Sequence, residues 1–145
     1  PLNNFFLNPL MEYLRKKYIC KNQIKKGIFG IRESMNYLKN NYSVALMIDQ
    51  RVSEGKKLPF FNHDALTTTL PAQLALKYNC DIVPVYIARK DDDTFKMEIY
   101  DPIKILNNDR SEKNKINISL NLNRVIEKMI IKDPKQWIWT HNRWK

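Results

Sequence analysis

The sequence is short of glycine, and this shortage argues against several common ligand-binding loops. Only three glycines occur in 145 residues, Gly27, Gly30 and Gly55. They form neither a GxGxxG dinucleotide-binding turn nor a Walker loop, so nucleotide binding by a glycine-rich backbone cradle is disfavoured. The sequence also has no GxSxG nucleophile elbow, which argues against a serine hydrolase of the α/β-hydrolase type.

Histidine and cysteine are equally scarce, which argues against a metal centre. Cys20 and Cys80 belong to no CxxC pair, and we interpret them as free thiols, buried or half-buried, in a reducing compartment. His63 is either a polar loop residue near a site or a catalytic residue. Because the side chains of adjacent residues diverge in most backbones, His63 and Asp64 make a poor catalytic dyad. His141 lies between aromatic residues and is predicted to be structural. We expect no metal and no bound cofactor.

Long hydrophobic runs are missing as well. The longest uncharged apolar run is Ile82–Ala88, far shorter than the roughly 20 residues that a membrane-spanning helix needs. Hydrophobic residues still make up 43% of the chain, enough for one domain with a core. Basic residues outnumber acidic ones by 25 to 15. A basic surface favours acidic partners: nucleic acid, anionic lipid headgroups or an acidic carrier protein.

Apolar residues at helical spacing predict four helices. In the first of them, Asn8 and Pro9 fit an N-cap and a first-turn position. Pro134 is expected to end the last and longest helix. The predicted helices cover residues 5–17, 31–40, 65–78 and 111–132.

Strands are predicted between these helices. Val44–Asp49 and Ile82–Arg89 are continuous apolar runs, typical of strands that are covered on both faces of a parallel sheet. Phe95–Tyr100 alternates apolar and polar residues, which indicates an antiparallel strand with one wet face. Tyr18–Cys20 is a shorter candidate. The order predicts an α/β fold with a mostly parallel or mixed central sheet flanked by helices.

The loop after Val44–Asp49 carries the residues that are most suggestive of a binding site. Ligands of parallel α/β sheets bind outside the carboxyl ends of the strands, which is where Asp49 is predicted to lie. Asp49 either caps the following turn or pairs with Arg51, or it is a site carboxylate that orients a base or a substrate hydroxyl. Arg51, Lys56 and Lys57 form either a solvated loop or a phosphate clamp.

The carboxyl-terminal segment combines three tryptophans with two cations. Trp137, Trp139 and Trp144, next to Arg143 and Lys145, fit three interpretations. They are core anchors, a patch at a membrane headgroup boundary, or a platform on which single-stranded nucleic acid stacks. The residue types alone do not decide among these.

Three segments, read together, resemble a known family. They are "DQR…EG…LPFFNHDALTTTLPAQLA", "CDIVPVYIAR" and "PKQWIWTHNRWK". In this order they resemble the lauroyl/myristoyl acyltransferases of lipid A biosynthesis, which belong to the wider lysophospholipid and glycerolipid acyltransferase superfamily. The resemblance extends from Asn3 to Lys145.

This resemblance implies an α/β catalytic domain beside an inner-membrane anchor. Such an enzyme moves a fatty acyl chain from acyl carrier protein to the hydroxyl of an acyl chain already present on a lipid A precursor. The expected location is the cytoplasmic face of the inner membrane. The expected partners are acyl carrier protein, the lipid A precursor and the anionic membrane surface, and no nucleic acid.

The catalytic motif of that family is His-x-x-x-x-Asp/Glu, in which the histidine is the general base on the acceptor hydroxyl. Neither histidine here fits it: Leu66–Thr68 stand where His63 would need an acid, and Lys145 is the last residue after His141. We therefore expect the motif and the anchor upstream of Pro1. Residues 1–145 would then be the carboxyl-terminal portion of a single acyltransferase domain, inactive alone and without a catalytic residue of its own.

The resemblance also assigns substrate contacts. The loop from Asp49 to Gly55 occupies the block in which the superfamily holds the phosphate or headgroup of the acceptor, and Val83–Val85 matches a sheet block. Family members usually have glycine at the position of Asn62 and often at that of Pro71. The local loop geometry at these two positions is therefore expected to differ from that of the family. The predicted substrate-binding residues are Asp49, Arg51, Gly55, Lys56, Phe61 and Thr67.

Two other functions stay open at this point. One is a related acyltransferase that acts on a lysophospholipid or another glycerolipid. The other is a basic nucleic-acid-binding module that uses lysine and tryptophan, for which binding would depend steeply on salt.

Overall fold

A computed structural model describes residues 4–25 and 27–144 of the chain. The chain divides into two units, Pro1–Ala45 and Leu46–Lys145, which are described separately below. Helices and strands occur together, so the predicted mixed α/β class is confirmed. Asn3 and Lys145, between which the resemblance extends, lie outside the described residues.

The first unit begins with helix α1, Leu7–Tyr18. Its first turn is capped by Asn4, whose Oδ1 accepts hydrogen bonds from the backbone N–H of Phe6 (3.0 Å) and Leu7 (3.1 Å). The predicted N-cap at Asn8 is therefore wrong: Asn8 lies inside the helix, and Pro9 is tolerated there because first-turn N–H groups need no intrahelical partner.

The short strand predicted at 18–20 is also wrong. Helix α1 continues to Tyr18, and the backbone N–H groups of Ile19 and Cys20 both donate to the carbonyl of Arg15. These bonds close the end of the helix, so the backbone of this segment is used in a turn. Basic residues fill the last turn of α1, where they complement the helix dipole.

The second helix of this unit, α2, covers Ile28–Lys39. It begins three residues before the predicted start, after Gly27, which has φ +89°. Within α2 the buried Ser34 donates its hydroxyl proton to the carbonyl of Gly30 at 2.8 Å. The prediction of a helix here is confirmed, apart from its first turn.

The second unit opens with a hairpin of strands β1, Lys56–Phe60, and β2, His63–Thr67. The strands are antiparallel, with Lys56 opposite Thr67 and Phe60 opposite His63. Phe61 (φ +49°) and Asn62 (φ +60°) form the connecting turn. Two consecutive positive φ angles are what a two-residue type I′ hairpin turn requires.

Helix α3, Leu70–Tyr78, follows the hairpin. The predicted helix at 65–78 is therefore wrong over its first residues, because 65–67 belong to β2. The side chains of Ala65 and Thr67 alternate onto the buried face of the hairpin, and this pairing outweighs their helical spacing. Pro71 stands in the first turn of α3, as predicted.

Strands β3, Val85–Arg89, and β4, Phe95–Ile99, form a second hairpin. They pair antiparallel, with Val85 opposite Ile99 and Arg89 opposite Phe95, so the predicted antiparallel pairing is confirmed. The strand predicted at Ile82–Arg89 begins only at Val85, and it is not buried, because Val85 and Ile87 are exposed. The prediction that the apolar face of β4 is covered is wrong as well, since Phe95, Met97 and Ile99 are all more than 60% exposed.

The long helix α4 covers Glu112–Lys132, as predicted, and Ser111 caps it by accepting a hydrogen bond from the backbone N–H of Asn114. Two single-turn 3₁₀ helices follow, Pro134–Gln136 and Trp139–His141. Pro134 therefore stands just past the end of α4, where a residue without an N–H cannot extend the helix.

The predicted parallel sheet is wrong. Among the described residues, each strand pairs with its neighbour in the sequence, giving two separate two-stranded antiparallel sheets. Antiparallel neighbours need only a short turn, whereas parallel strands need a crossover connection. Val44–Asp49 is not a strand, and Met47 in its centre is 80% exposed.

The core of the second unit lies along α4. Toward its carboxyl end, Ile126 and Ile130 pack against Phe60 and Ala65 of the first hairpin. Nearer its amino end, Ile118 and Leu122 pack against Ala72 and Leu76 of α3. Ile48 touches both clusters, and thereby places Asp49, the residue after it, beside the first hairpin.

Candidate functional site

A buried polar cluster connects the carboxyl-terminal segment, α4 and the first hairpin. It consists of Arg143, Asn123 and Thr67, all of which are buried. Nη2 of Arg143 donates to Asn123 Oδ1 at 3.1 Å and to Thr67 Oγ1 at 3.2 Å. Nδ2 of Asn123 donates to Thr67 Oγ1 at 3.1 Å and to the carbonyl of Pro59 at 3.0 Å.

The backbone and an aromatic ring hold Arg143 in this position. Its carbonyl accepts a hydrogen bond from the backbone N–H of Leu66 at 3.0 Å, which links Arg143 to the backbone of β2. Its guanidinium carbon lies 4.0 Å from the centre of the Phe60 ring, a cation–π contact. The neighbouring Trp144 donates its indole N–H to the carbonyl of Phe60 at 3.1 Å.

The charge of Arg143 is only partly compensated. Nε and Nη1 are buried and make no hydrogen bond with the described residues. Burial lowers the pKa of this guanidinium, and the negative charges of Asp49 and Glu127 act in the opposite direction. A buried charge is costly unless charged or polar groups surround it, so these two carboxylates are part of its environment.

The tryptophans pack mainly as core anchors. Trp137 and Trp144 pack against the Phe60 cluster, with ring centres 5.8 Å and 5.7 Å from that of Phe60. Trp139 is 49% exposed. Its ring centre lies 4.6 Å from that of Trp137, so it extends the aromatic cluster to the surface. The core interpretation therefore describes two of the three residues.

The turn of the first hairpin is fixed by α4. The backbone N–H of Phe61 donates to Glu127 Oε1 at 2.7 Å, and the Phe61 ring packs edge-on against Phe60 at 4.9 Å. A residue with a Cβ is unfavourable at positive φ. The charge-assisted bond to Glu127 offsets part of that cost and links the turn to α4.

The surroundings of Gly55 explain why glycine occupies this position. A Cβ at this position would lie 2.8 Å from both the backbone nitrogen and the carbonyl oxygen of Thr67. The N–H of Gly55 donates to the carbonyl of Val52 at 3.0 Å, which closes the loop before β1. Only a residue without a side chain lets the loop approach β2 this closely.

The six predicted substrate-binding residues are placed at different points of the first hairpin and its loop. Gly55, Lys56 and Thr67 lie together at the open end of the hairpin. Phe61 lies in the turn at the other end, beyond the roughly 13 Å that β1 spans from Lys56 to Phe60 at about 3.3 Å per residue. Asp49 is half-buried and Arg51 is exposed. None of the ion pairs among the described residues includes either of them.

A comparison with known protein families shows to which family the chain belongs. The sequence matches the family described as bacterial lipid A biosynthesis acyltransferase over residues 2–145. The chain belongs to this family. Membership confirms the resemblance carried by the three sequence segments, and it implies acyltransferase activity in lipopolysaccharide biosynthesis. A search of curated proteins found no match.

Within this lipid A acyltransferase sequence, Asn123, Glu127 and Arg143 were not among the predicted site residues. A signal for Asn123 is present, because it stands between Leu122 and Ile126 on the apolar stripe of α4, where a polar residue needs a buried partner. The sequence presents Arg143 only as a neighbour of the tryptophans. Its contact with Thr67 spans 76 positions, and no local pattern encodes that distance.

Two further features of the acyltransferase chain concern metals and membranes. In residues 4–25 and 27–144, no three side chains of His, Cys, Asp or Glu are grouped as metal ligands would be. In the same part of the chain, no helix combines the length and the apolar character that crossing a bilayer demands.

Proposed function

We propose that this chain is part of an enzyme that transfers a fatty acyl chain from acyl carrier protein to a hydroxyl group of a lipid A precursor. The observation that carries this proposal is the family match over residues 2–145. The proposed location is the cytoplasmic face of the inner membrane, where donor and acceptor meet.

The loop from Asp49 to Lys56 is proposed to bind the acceptor. Arg51 and Lys56 are exposed, and no carboxylate among the described residues forms an ion pair with them. Cations of this kind suit the phosphates of a lipid A precursor. Asp49 would orient a hydroxyl group of the acceptor. Phe61 offers an apolar surface for its chain.

Gly55 and Thr67 are part of the same proposed site because they determine its shape. The hydroxyl of Thr67 donates to the carbonyl of Ala65 at 3.1 Å and accepts from Arg143 and Asn123. It is therefore already engaged within the protein. The close approach of Gly55 to Thr67 sets the path of the loop that carries the cations.

The positive charge of the chain supports the proposed partners. A net charge of +10 attracts the acidic surface of acyl carrier protein and anionic headgroups of the membrane. Both attractions weaken with salt, because exposed charges are screened within about 8 Å at physiological ionic strength.

The general base is proposed to lie outside residues 1–145. At the spacing of the family motif, Thr68 follows His63, and the corresponding position after His141 lies outside residues 1–145. Residues 1–145 produced alone are accordingly expected to show no acyl transfer. The full-length protein is expected to be active.

The test of the reaction is an acyl-transfer assay with the purified full-length protein. Acyl-acyl carrier protein is the donor, and the acceptors are a lipid A precursor and a lysophospholipid, each in separate reactions. The expected product is the acylated lipid A precursor. Transfer to the lysophospholipid alone would contradict the proposal and favour the related glycerolipid activity.

The same assay tests the acceptor contacts. Asp49→Asn and Arg51→Ala should each lower the rate by about 10- to 100-fold, since a hydrogen bond to a charged group contributes about 1.5–3 kcal/mol. Arg124→Ala removes an exposed cation on α4 and is the matched control, with a rate expected to stay within about twofold of the wild-type value. Near-full turnover of Asp49→Asn at normal expression would refute its assignment.

A further inference from the structure

Helix α1 presents an apolar surface that the described residues do not cover. No residue of α1 is buried. Large apolar side chains in the helix and at its N-cap recur at helical spacing, and each is exposed by half or more: Phe6, Leu7, Leu10, Tyr13 and Tyr18. Residues three, four and seven positions apart share one face of a helix. These five side chains therefore form one stripe along the helix, the α1 stripe.

The charged side chains of α1 are separated by sign. The one acid of the helix, Glu12, lies on the side opposite the α1 stripe, where its Oε1 accepts a hydrogen bond from Asn8 Nδ2 at 3.1 Å. Three cations fill the last turn: Arg15, Lys16 and Lys17. None of the ion pairs among the described residues includes any of these cations. The α1 stripe thus ends in positive charge that no carboxylate of its own helix pairs.

Lys17 joins the apolar and the charged part of this surface. Its Nζ lies 5.6 Å from the centre of the Tyr13 ring and 5.2 Å from that of Tyr18. Both distances are within the roughly 6 Å at which an ammonium group is attracted to an aromatic ring. Tyrosine rings beside a lysine are typical of the boundary between lipid headgroups and acyl chains, because the rings enter the apolar layer while the ammonium group meets phosphates.

The length and the charge of α1 favour a lipid surface as its partner. The 12 residues of the helix extend for about 18 Å, short of the roughly 30 Å of a bilayer core, so the helix would lie along the surface. Interfacial helices combine an apolar stripe with lysine and arginine, and anionic headgroups strengthen their binding. An apolar protein partner would cover the α1 stripe equally well, but it would leave the three cations of the last turn without a partner.

We propose that helix α1 is an interfacial membrane contact: the α1 stripe enters the apolar layer of an anionic lipid surface, and the cations of the last turn bind lipid phosphate groups. The inference rests on the proposed function only in that the acceptor would lie in the same lipid surface. The contact itself uses none of the residues proposed to bind the acceptor.

The test measures amide hydrogen exchange of α1 in the full-length protein on two kinds of vesicle. One kind is phosphatidylcholine alone, and the other is an equimolar mixture of phosphatidylcholine and phosphatidylglycerol. Lipid contact excludes water from the helix, so exchange in α1 should be about fivefold slower or more on the anionic vesicles. Helix α4 is the internal reference and should exchange equally on both. Equal exchange of α1 on the two kinds of vesicle overturns the inference.

A first variant tests the apolar part of the contact. Leu7→Gln/Leu10→Gln removes two leucines of the α1 stripe and keeps a good helix former at both positions. The difference in α1 exchange between the two kinds of vesicle should fall below about twofold. Leu106→Gln is the matched control, because Leu106 is 97% exposed and lies outside α1. This control should keep the wild-type difference.

A second variant tests the charged part. Lys16→Gln/Lys17→Gln removes two exposed cations and should also reduce the difference in α1 exchange to less than about twofold, since each lysine near an anionic surface contributes to binding. Lys113→Gln/Lys128→Gln removes two exposed lysines of α4 and should keep the wild-type difference. If this control loses the difference as well, the effect comes from net charge, and the assignment to α1 is overturned.

Other occupants of the α1 stripe give a different result. If another part of the protein or a second copy covers the stripe, exchange in α1 is slow on both kinds of vesicle. Leu7→Gln/Leu10→Gln then speeds exchange equally on both, because it weakens a protein contact that does not depend on lipid charge. That outcome overturns the inference and identifies a protein contact in its place.

Acyl-transfer assays separate this inference from the proposed function. With the acceptor in neutral detergent micelles, Leu7→Gln/Leu10→Gln should keep kcat/KM within about twofold of the wild-type value. With the acceptor in the anionic vesicles, kcat/KM should fall by about fivefold or more. A protein whose α1 is protected on anionic vesicles but which acylates no acceptor refutes the proposed function and leaves the membrane contact standing.

Discussion

Asn123 on α4 and Thr67 at the end of β2 are joined by a buried hydrogen bond of 3.1 Å from Nδ2 to Oγ1. Arg143 donates to both residues, so three distant segments of the chain meet at one point. A buried network in which most groups are satisfied fixes one arrangement of its elements. Here it fixes how the first hairpin, with the loop that precedes it, lies on the long helix.

Asn123→Ala should destabilise the protein by about 2–3 kcal/mol, because it removes the donor to Thr67 and Pro59 and the acceptor of Arg143 in a buried place. Asn121→Ala, on the exposed face of the same helix, is the control and should change the free energy of unfolding by less than about 0.5 kcal/mol. Chemical denaturation measures both. Equal effects of the two substitutions would show that the cluster contributes no stability.

Gly55→Ala should destabilise the protein by about 1–3 kcal/mol, because its methyl group would lie 2.8 Å from the backbone of Thr67. Ser53→Ala introduces the same residue at an exposed position of the same loop and should be nearly neutral. Thermal unfolding of the two variants distinguishes a steric role of Gly55 from a direct contact with substrate. Loss of acceptor affinity without loss of stability would contradict the steric explanation.

Glu127→Ala should destabilise the hairpin turn by about 1–3 kcal/mol, since it leaves the backbone N–H of Phe61 without its acceptor at positive φ. Glu127→Gln keeps a carbonyl oxygen in nearly the same position and should cost less than Glu127→Ala. Amide hydrogen exchange at Phe61 provides the local readout, with faster exchange expected in Glu127→Ala. If both variants exchange at the wild-type rate, the bond does not hold the turn.

The elements that were predicted correctly are those with a strong local signal. Helix α4 has both an apolar stripe and an N-cap serine, and it occurs as expected. β4 alternates apolar and polar residues and pairs antiparallel as expected, but its apolar residues are exposed. The strand β1 was missed, because Lys56–Phe60 contains two lysines and a proline and has a low strand propensity. Its pairing with β2 comes from the type I′ turn and from the burial of Leu58 and Phe60 against the helix.

The parallel sheet was predicted from apolar runs, which do not specify a partner. Val44–Asp49 has the composition of a buried strand, but a strand exists only where another strand supplies its hydrogen bonds. The same reasoning applies to the site. The loop cations could be found from the sequence, whereas the role of Arg143 depends on contacts that span 20 and 76 positions.

The last prediction concerns Glu98 on β4, which connects the second hairpin to the end of α4. Its Oε2 is 2.5 Å from Lys132 Nζ, and its Oε1 is 3.0 Å from Lys96 Nζ. The hydroxyl of Tyr100 donates to Oε2 at 3.0 Å. These bonds, led by the one from Lys132, lower the pKa of Glu98 from its ordinary 4.5 to about 2.

Because the pKa of Glu98 is lower in the folded state, its stabilising effect is complete above pH 4.5 and is lost as the pH falls toward 2. Glu98→Gln should therefore lower the unfolding midpoint at neutral pH, and the difference from the wild type should shrink through this acidic range. Glu54→Gln, an exposed carboxylate outside the described ion pairs, is the control and should follow the wild-type pH profile. Thermal melts across this pH range measure the difference between Glu98→Gln and the wild type. If that difference stays constant with pH, the ion pair does not couple protonation to folding.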